Sequence, residues 1–419
     1  MHIVWIHRGM YPEFAGGTYT YIFELGRRLA ARGHRIDVIS RTLATEAGPP
    51  KEIGGMLSHT YTYRRVNPAY STYQHLNNVY GIFRKIAAEE AVDVLGVHDT
   101  HLGLKTVRSP EGRRVCQIPT YHAPSFLEYR FDAEWRMKTE ATTLQRAVHA
   151  VAGPILERSQ WRFESGVLRA AQGVVVLSEF SRSNIAKHFP RVDTGKVTII
   201  PSGVDTDRFR PADDRDAARR ELGFRDEDVH LLTVRRLAPR MGIENLLGAM
   251  ALLGERTGEG RQRVLLTICG GGGLRSVLEE ETRRLNVADR VTFAGHVEDT
   301  VLVRHYQAAD LFVLPTAALE GFGISTVEAL SANLPVVGTP AGATPEILDK
   351  IDPRMVTRDT SAEAIADAIA SWLDWRNQVG ETSRYRDNVL ANYTWDSVTD
   401  RVESYYADTA EAFGRGGLS

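Results

Sequence analysis

Short apolar, β-branched runs alternate with helix-patterned stretches along almost the whole chain. In the first half the runs fall at 2–7, 35–40, 92–98, 115–122, 174–178 and 197–201. In the second half they fall at 229–235, 264–269, 291–295, 311–315, 335–338 and 355–357. Runs such as GVVVLS and LFVLPT have no polar face, which predicts strands covered on both sides, as in a parallel sheet between helices. Between them, YTYIFELGRRLAARG from Tyr19 repeats apolar residues at helical spacing and stops at Gly33, a residue that ends helices at no steric cost. The pattern predicts two doubly wound α/β domains.

The boundary is expected where IIPSGVDTDRFRPADD turns irregular and polar, with a linker at about 201–212. Domains are therefore placed at 1–202 and 203–393, and 394–419 reads as one more amphipathic helix with no strand after it. Ligands of such sheets bind beyond the carboxyl ends of the strands, so two facing sheets would enclose a central cleft.

Composition narrows the function classes. The 419 residues suit two or three domains at roughly 150 residues each. A net charge of −2 excludes a nucleic-acid binder that relies on a broad basic surface. Cys116 and Cys269 cannot build a metal site between them and suggest no disulfide framework. The N-terminus turns polar after six residues, unlike a signal peptide, and no apolar run reaches the length of a spanning helix. A cytoplasmic protein is the expectation, with oligomeric state left open. Lysine occurs only at 51, 85, 105, 138, 187, 196 and 350; arginine supplies the remaining basic residues.

Four strand-end segments carry candidate chemistry. E-F-A-G-G-T at 13–18 opens the first long helix, and Gly16 and Gly17 suit either an anion at its N-terminus or a plain tight turn. C-G-G-G-G-L at 269–274 sits at the corresponding place in the second half. Reading a dinucleotide fingerprint from Gly270 or Gly271 puts Arg275 or Ser276 at the third glycine, which speaks against NAD and leaves a nucleotide-facing loop. Arg235, Arg236 and Arg240 follow the strand at 229–235, as a fork for a diphosphate or as a solvated face. L-E-G-F-G-I-S-T-V-E at 319–328 places Glu320 at a strand mouth and Glu328 a helical turn on, with amides of Phe322, Gly323, Ile324 and Ser325 free for an anion. A glycosidase-like carboxylate pair is the rival there.

His98, His101 and His122 also fall at strand ends. His98-Asp-Thr-His101 invites a metal, but lacks a third ligand. The segment 57–81 is rich in tyrosine, including Tyr73, and either lines an acceptor site or packs inward. Arg27, Arg28 and Arg32 offer a weak peripheral membrane contact or, alternatively, an ordinary solvated helix face.

Taken in order, AGGTYTYIFELGRRLAARGHRIDVIS, VVVLSEFSRSNI, IIPSGVDTDRFRP, VRRLAPRMG, RVTFAGHVED, LEGFGISTVEAL, LPVVGTPAGATPEIL and YTWDSV resemble the retaining glycosyltransferases of family 4, with the two-domain GT-B fold. The resemblance implies that Glu320 contacts hydroxyls of the transferred sugar and Glu328 the nucleotide ribose. It implies that amides at 322–325 hold the donor, Arg236 binds the diphosphate, and Gly16 and Gly17 close over it. Gly271 and Arg240 join the donor set; Tyr73, His98 and His122 are the acceptor-side candidates, His122 beside the reacting centre. His122, Glu320 and Arg236 form the catalytic set. The partners implied are a nucleoside-diphosphate sugar and a small polar or glycoside acceptor, with no cofactor and no metal. The resemblance also implies that the last helix crosses back onto the first domain.

Three positions depart from the family pattern. Arg235 replaces the usual glycine before the phosphate-binding arginine, Met241 the usual lysine, and Asn333 a common glycine. Arg240, beside Met241, is the candidate to restore the missing charge. A nucleotide-sugar epimerase of the same fold or a non-catalytic nucleotide-sugar binder remain alternatives. A pyridoxal-phosphate phosphorylase lacks a well-placed lysine, since the second half offers only Lys350.

Overall fold

The computed structural model describes residues 1–14, 16–64, 67–139, 142–256, 263–379 and 385–416. Ala15 of the first glycine motif, residues 65 and 66 of the tyrosine-rich segment, and 417–419 of the tail lie outside the described residues. The strands are β1 (His2–Ile6), β2 (Arg35–Arg41), β3 (Lys51–Ile53), β4 (Met56–Tyr61), β5 (Val94–Val97), β6 (Cys116–Gln117), β7 (Thr120–Tyr121), β8 (Val174–Val176), β9 (Val197–Ile199), β10 (Val229–Val234), β11 (Val264–Cys269), β12 (Val291–Gly295), β13 (Leu311–Leu314) and β14 (Val336–Gly338).

The chain forms two compact units. One holds Met1–Leu127, Leu144–Gly203 and Trp395–Ser419; the other holds Glu128–Thr143 and Val204–Thr394. Three further passages between the units therefore accompany the break near residue 203: two flank Glu128–Thr143, and the third precedes Trp395.

In the first unit one sheet runs β3-β4-β2-β1-β5-β6 and another β7-β8-β9. All pairings are parallel except the β3–β4 hairpin. That hairpin was not expected; Gly54 and Gly55 turn it with φ of 60° and 79°, the left-handed geometry a two-residue hairpin needs. The apolar run at 115–122, expected as one strand, splits into β6 and β7 on different sheets. The helix Trp395–Gly416 packs on this unit. Its Trp395 meets Tyr21 edge-on at 5.7 Å, Tyr405 Oη donates to the Lys196 carbonyl at 3.0 Å, and Tyr406 is fully buried.

The same helix answers the membrane expectation for the arginine face. Arg32 pairs with Asp400 at 2.7 Å and Glu403 at 2.6 Å, while Glu24 holds Arg27 and Arg28. These cations are matched by carboxylates rather than offered as a free basic stripe. No described helix is long and apolar enough to cross a membrane.

The second unit has one five-stranded parallel sheet, β12-β11-β10-β13-β14. Its strands are apolar on both faces because helices such as Ile243–Arg256 and Ala362–Val379 cover them. The run at 355–357 is not a strand: Pro353–Met355 forms a 3-10 turn, and Val356 makes only an isolated bridge to Gly338. Asn333 takes φ 60° just after the helix Ile324–Ser331, so the departure from glycine falls to a residue that tolerates this region.

Candidate active site

In the second unit, three strand ends meet around one carboxylate. Strand β13 ends at Leu314, and the chain turns through Leu319, a non-glycine residue in the left-handed region at φ 60°. Such a conformation costs on the order of 1 kcal/mol and persists where surrounding contacts impose it. Here the Glu320 carbonyl accepts the Ala343 amide at 2.9 Å, and a Cβ at Gly342 would stand 2.1 Å from that carbonyl oxygen. Glycine at 342 is thus a condition for the turn.

Glu320 is buried, and its Oε2 takes Arg235 Nη2 at 2.8 Å and the Thr316 hydroxyl at 3.1 Å. Burial pushes its carboxyl up, but the charges of Arg235 and Arg240 outweigh this and hold it below the ordinary range. It is an ionised acceptor, suited to sugar hydroxyls. Three residues on, Gly323 caps the helix Ile324–Ser331, whose first amides have no helical carbonyl to meet. Glu328, half-buried on that helix, accepts from Tyr306 Oη at 2.7 Å. Burial pushes the Glu328 carboxyl up despite this hydrogen bond.

The arginines divide their work differently from the expectation. Arg236 is exposed and has no partner among the described residues, which leaves its fork open for a ligand. Arg240, the candidate to replace a lysine, is committed instead: it pairs with Glu128, and its Nη1 donates to the Leu319 carbonyl at 3.1 Å. Met241 is buried in the core cluster. In the glycine run, Gly270 and Gly272 approach the carbonyls of Arg235 and Leu237 so closely that a Cβ would clash at 2.0 and 2.2 Å. Gly271 is exposed and has open space where a Cβ would stand.

The first unit gathers histidines. His98 Nδ1 lies 3.3 Å from His122 Nε2, and Tyr21 packs edge-on against His122 at 5.1 Å. Burial lowers the His122 imidazole to about 3 and the His7 imidazole to about 4; His98 is lowered as well, by burial and by His122. The cluster is neutral at ordinary pH. Within His98-Asp-Thr-His101, Asp99 pairs with Arg8 at 2.6 Å and caps the helix Thr100–Arg108. Gly16 caps the helix Gly17–Ala31 with φ 130°, leaving the first amides open.

The tyrosine-rich segment divides between both expectations. Tyr61 is buried, whereas Tyr70 and Tyr73 are exposed and stack on each other at 6.4 Å. The structure thus brings His98 and His122 together, while the ring contact of Tyr73 is with Tyr70. A separate cavity of about 200 Å³ opens beside β2 and β4, lined by Glu13, Ser40, Thr42, Lys51, Ser58 and Thr60; Ser58 and Thr60 belong to the tyrosine-rich segment, whereas Tyr73, His98 and His122 do not line it.

Comparisons with known proteins match this layout. The family described as Glycosyltransferase Family 4 matches residues 15–208, and the one described as Glycosyl transferases group 1 matches 214–388. The chain is a family-4-like glycosyltransferase of the GT-B fold. A GDP-mannose-dependent alpha-(1-6)-phosphatidylinositol monomannoside mannosyltransferase of Mycobacterium tuberculosis is 32% identical over 55% of this chain, and the match spans 60% of that relative's length. A D-inositol 3-phosphate glycosyltransferase of Catenulispora acidiphila is 26% identical over 95% of this chain and 91% of its own. The solved sucrose-phosphate synthase of Thermosynechococcus elongatus shares the fold with a TM-score of 0.80 at 21% identity, covering 98% and 99% of the two chains.

For a family-4-like glycosyltransferase, the residues that sequence reasoning missed are Thr316, Tyr306 and Glu128. Each acts through another side chain, and none carries a motif of its own. The Gly54-Gly55 pair was a legible hairpin signal; the Arg240–Glu128 pair was not, since 112 residues separate its members.

Proposed function

We propose that this glycosyltransferase moves a sugar from a nucleoside-diphosphate sugar to a small polar or glycoside acceptor, with retained anomeric configuration and without a metal ion. The observation that carries the reading is the ionised, buried Glu320 set three residues before the open amides of the helix Ile324–Ser331. A carboxylate and a helix N-terminus in that order suit a sugar joined to a phosphate.

In this reading the acceptor hydroxyl attacks the anomeric carbon on the face that the diphosphate leaves. The bond from that carbon to the phosphate oxygen breaks, and its electron pair goes to the nucleoside diphosphate. A donor phosphate oxygen takes the acceptor's proton. Arg236 and the helix amides stabilise the charge that develops on the leaving group. Glu320 orients the sugar and forms no covalent intermediate. Glu328, steadied by Tyr306, receives the ribose hydroxyls. In the first unit, neutral His122 hydrogen-bonds substrate hydroxyls, with His98 fixing its ring and Tyr73 offering a face to the acceptor.

The Mycobacterium tuberculosis relative's name carries GDP-mannose, which makes that donor the first to test. A thermal-shift panel of UDP, GDP, ADP and dTDP sugars identifies the donor. Nucleoside diphosphate released only with acceptor present supports transfer. An interconverted sugar nucleotide without that release points to an epimerase, and binding without any turnover to a non-catalytic binder.

A further inference from the structure

Arg235 directly follows β10 and turns a guanidinium into the interior beside the candidate sugar site. Its side chain is only 9% exposed. Nη2 donates to Glu320 Oε2 and to the Thr316 hydroxyl, each at 2.8 Å, and lies 2.9 Å from Met241 Sδ. Thr316 in turn donates to the same Oε2 at 3.1 Å, so Oε1 of Glu320 has no partner among the described residues. Arginine Nε is buried and also unpartnered.

The backbone under this side chain is clamped. Arg235 N donates to the Cys269 carbonyl at 2.9 Å, and the Arg235 carbonyl oxygen lies so close to Gly270 that a Cβ there would stand 2.0 Å from it. Met241 completes the arrangement: a cation at 241 would stand against the guanidinium and repel it, whereas a thioether packs there without charge. The arginine at 235 and the methionine at 241 are therefore one joint feature of this chain.

We propose that Arg235 is a positioning residue for the donor's sugar. It holds Glu320 by Oε2 so that Oε1 stays open to the sugar hydroxyls. Position 235 then sets affinity for the sugar half of the donor and not for the nucleoside-diphosphate half. The inference rests on the donor reading of the second unit.

Isothermal titration of wild type, Arg235→Gln and Thr316→Val with UDP-glucose against UDP, and GDP-mannose against GDP, tests it. Arg235→Gln should weaken the sugar nucleotide about tenfold or more and leave the matching nucleoside diphosphate within about twofold, as expected for a lost charge-assisted contact. Thr316→Val, a near-isosteric change that spares the ion pair, should show the same selectivity at a smaller size. The Glu320 carboxyl is held down by Arg235, with Arg240 as the second cation, so in Arg235→Gln sugar-nucleotide binding should weaken at a higher pH than in the wild type as the solution is acidified. Equal weakening of sugar nucleotide and nucleoside diphosphate overturns the proposal, because it marks a phosphate contact or a general distortion. No change in either overturns it too. A wild type that binds no sugar nucleotide of the UDP, GDP, ADP and dTDP panel removes the donor reading first and this inference with it.

Discussion

The two units present the same device with opposite electrostatics. In each, a parallel strand ends, a glycine turn follows, and a helix opens with free amides. Around that device the first unit places buried imidazoles that burial keeps neutral, while the second places a buried carboxylate, Glu320, that neighbouring arginines hold charged. The difference lies in partners. His98 and His122 face each other, so protonating one is opposed by desolvation and by the other; Glu320 faces Arg235, so ionisation is repaid by an opposite charge. A neutral site suits an uncharged polar molecule, and a charged one suits a sugar diphosphate.

The largest test of this contrast is Glu320. Glu320→Gln should cost about 10³-fold in kcat/KM, a loss typical of removing charge from a reacting centre. It should leave the fold intact, as read by circular dichroism. Glu320→Ala should also lose stability, because it strands the Arg235 charge in the interior, at a cost of about 3–5 kcal/mol. Near-native turnover in either would end the assignment of the charged site.

Next comes the division of labour between arginines. Arg236→Ala should weaken nucleoside diphosphate about tenfold to hundredfold, with stability within about 0.5 kcal/mol of wild type because the side chain is exposed and free. Arg240→Ala should behave in reverse, changing that affinity by less than about threefold while lowering the denaturation midpoint through loss of the partly buried pair with Glu128. Equal affinity losses in both would restore Arg240 as the substitute for a lysine at 241.

Acid stability probes the neutral unit. The His7 and His122 imidazoles are lower when folded, about 4 and about 3, than their ordinary value near 6.5. The unfolded chain therefore binds more protons in between, so this stability is present above pH 6.5 and is lost as pH falls from there toward 4. His7→Gln should flatten the slope by up to about 3 kcal/mol across that window, measured by urea denaturation. An unchanged slope would mean His7 is not held neutral. The smallest effect is expected at Tyr73. Tyr73→Ala should change stability by less than about 0.5 kcal/mol, and any effect should appear in acceptor KM alone.

Much of the fold was legible in the sequence. Strand runs such as 229–235 and 311–315 carried it, because a strand buried on both faces must be apolar throughout. The L-E-G-F-G segment was legible for a related reason: a strand, a glycine turn and a helix start can be read locally. What misled was also local. The run at 115–122 is uniformly apolar, yet it serves two sheets, and an apolar pattern records burial without naming the neighbour. The run at 355–357 shows the same limit, since it pairs at a single bridge.

By itself, then, the sequence determined which residues stand at strand ends and which types of chemistry they carry, because strand, turn and helix signals act over a few residues. Only the tertiary structure decided which of three neighbouring arginines is free, which is buried on Glu320 and which is tied to Glu128. Charge is a property of composition, but the partner of a charge is set by packing between distant segments, 112 residues apart for Arg240 and Glu128. The same packing keeps His122 neutral by burying it and Glu320 ionised by setting an arginine against it.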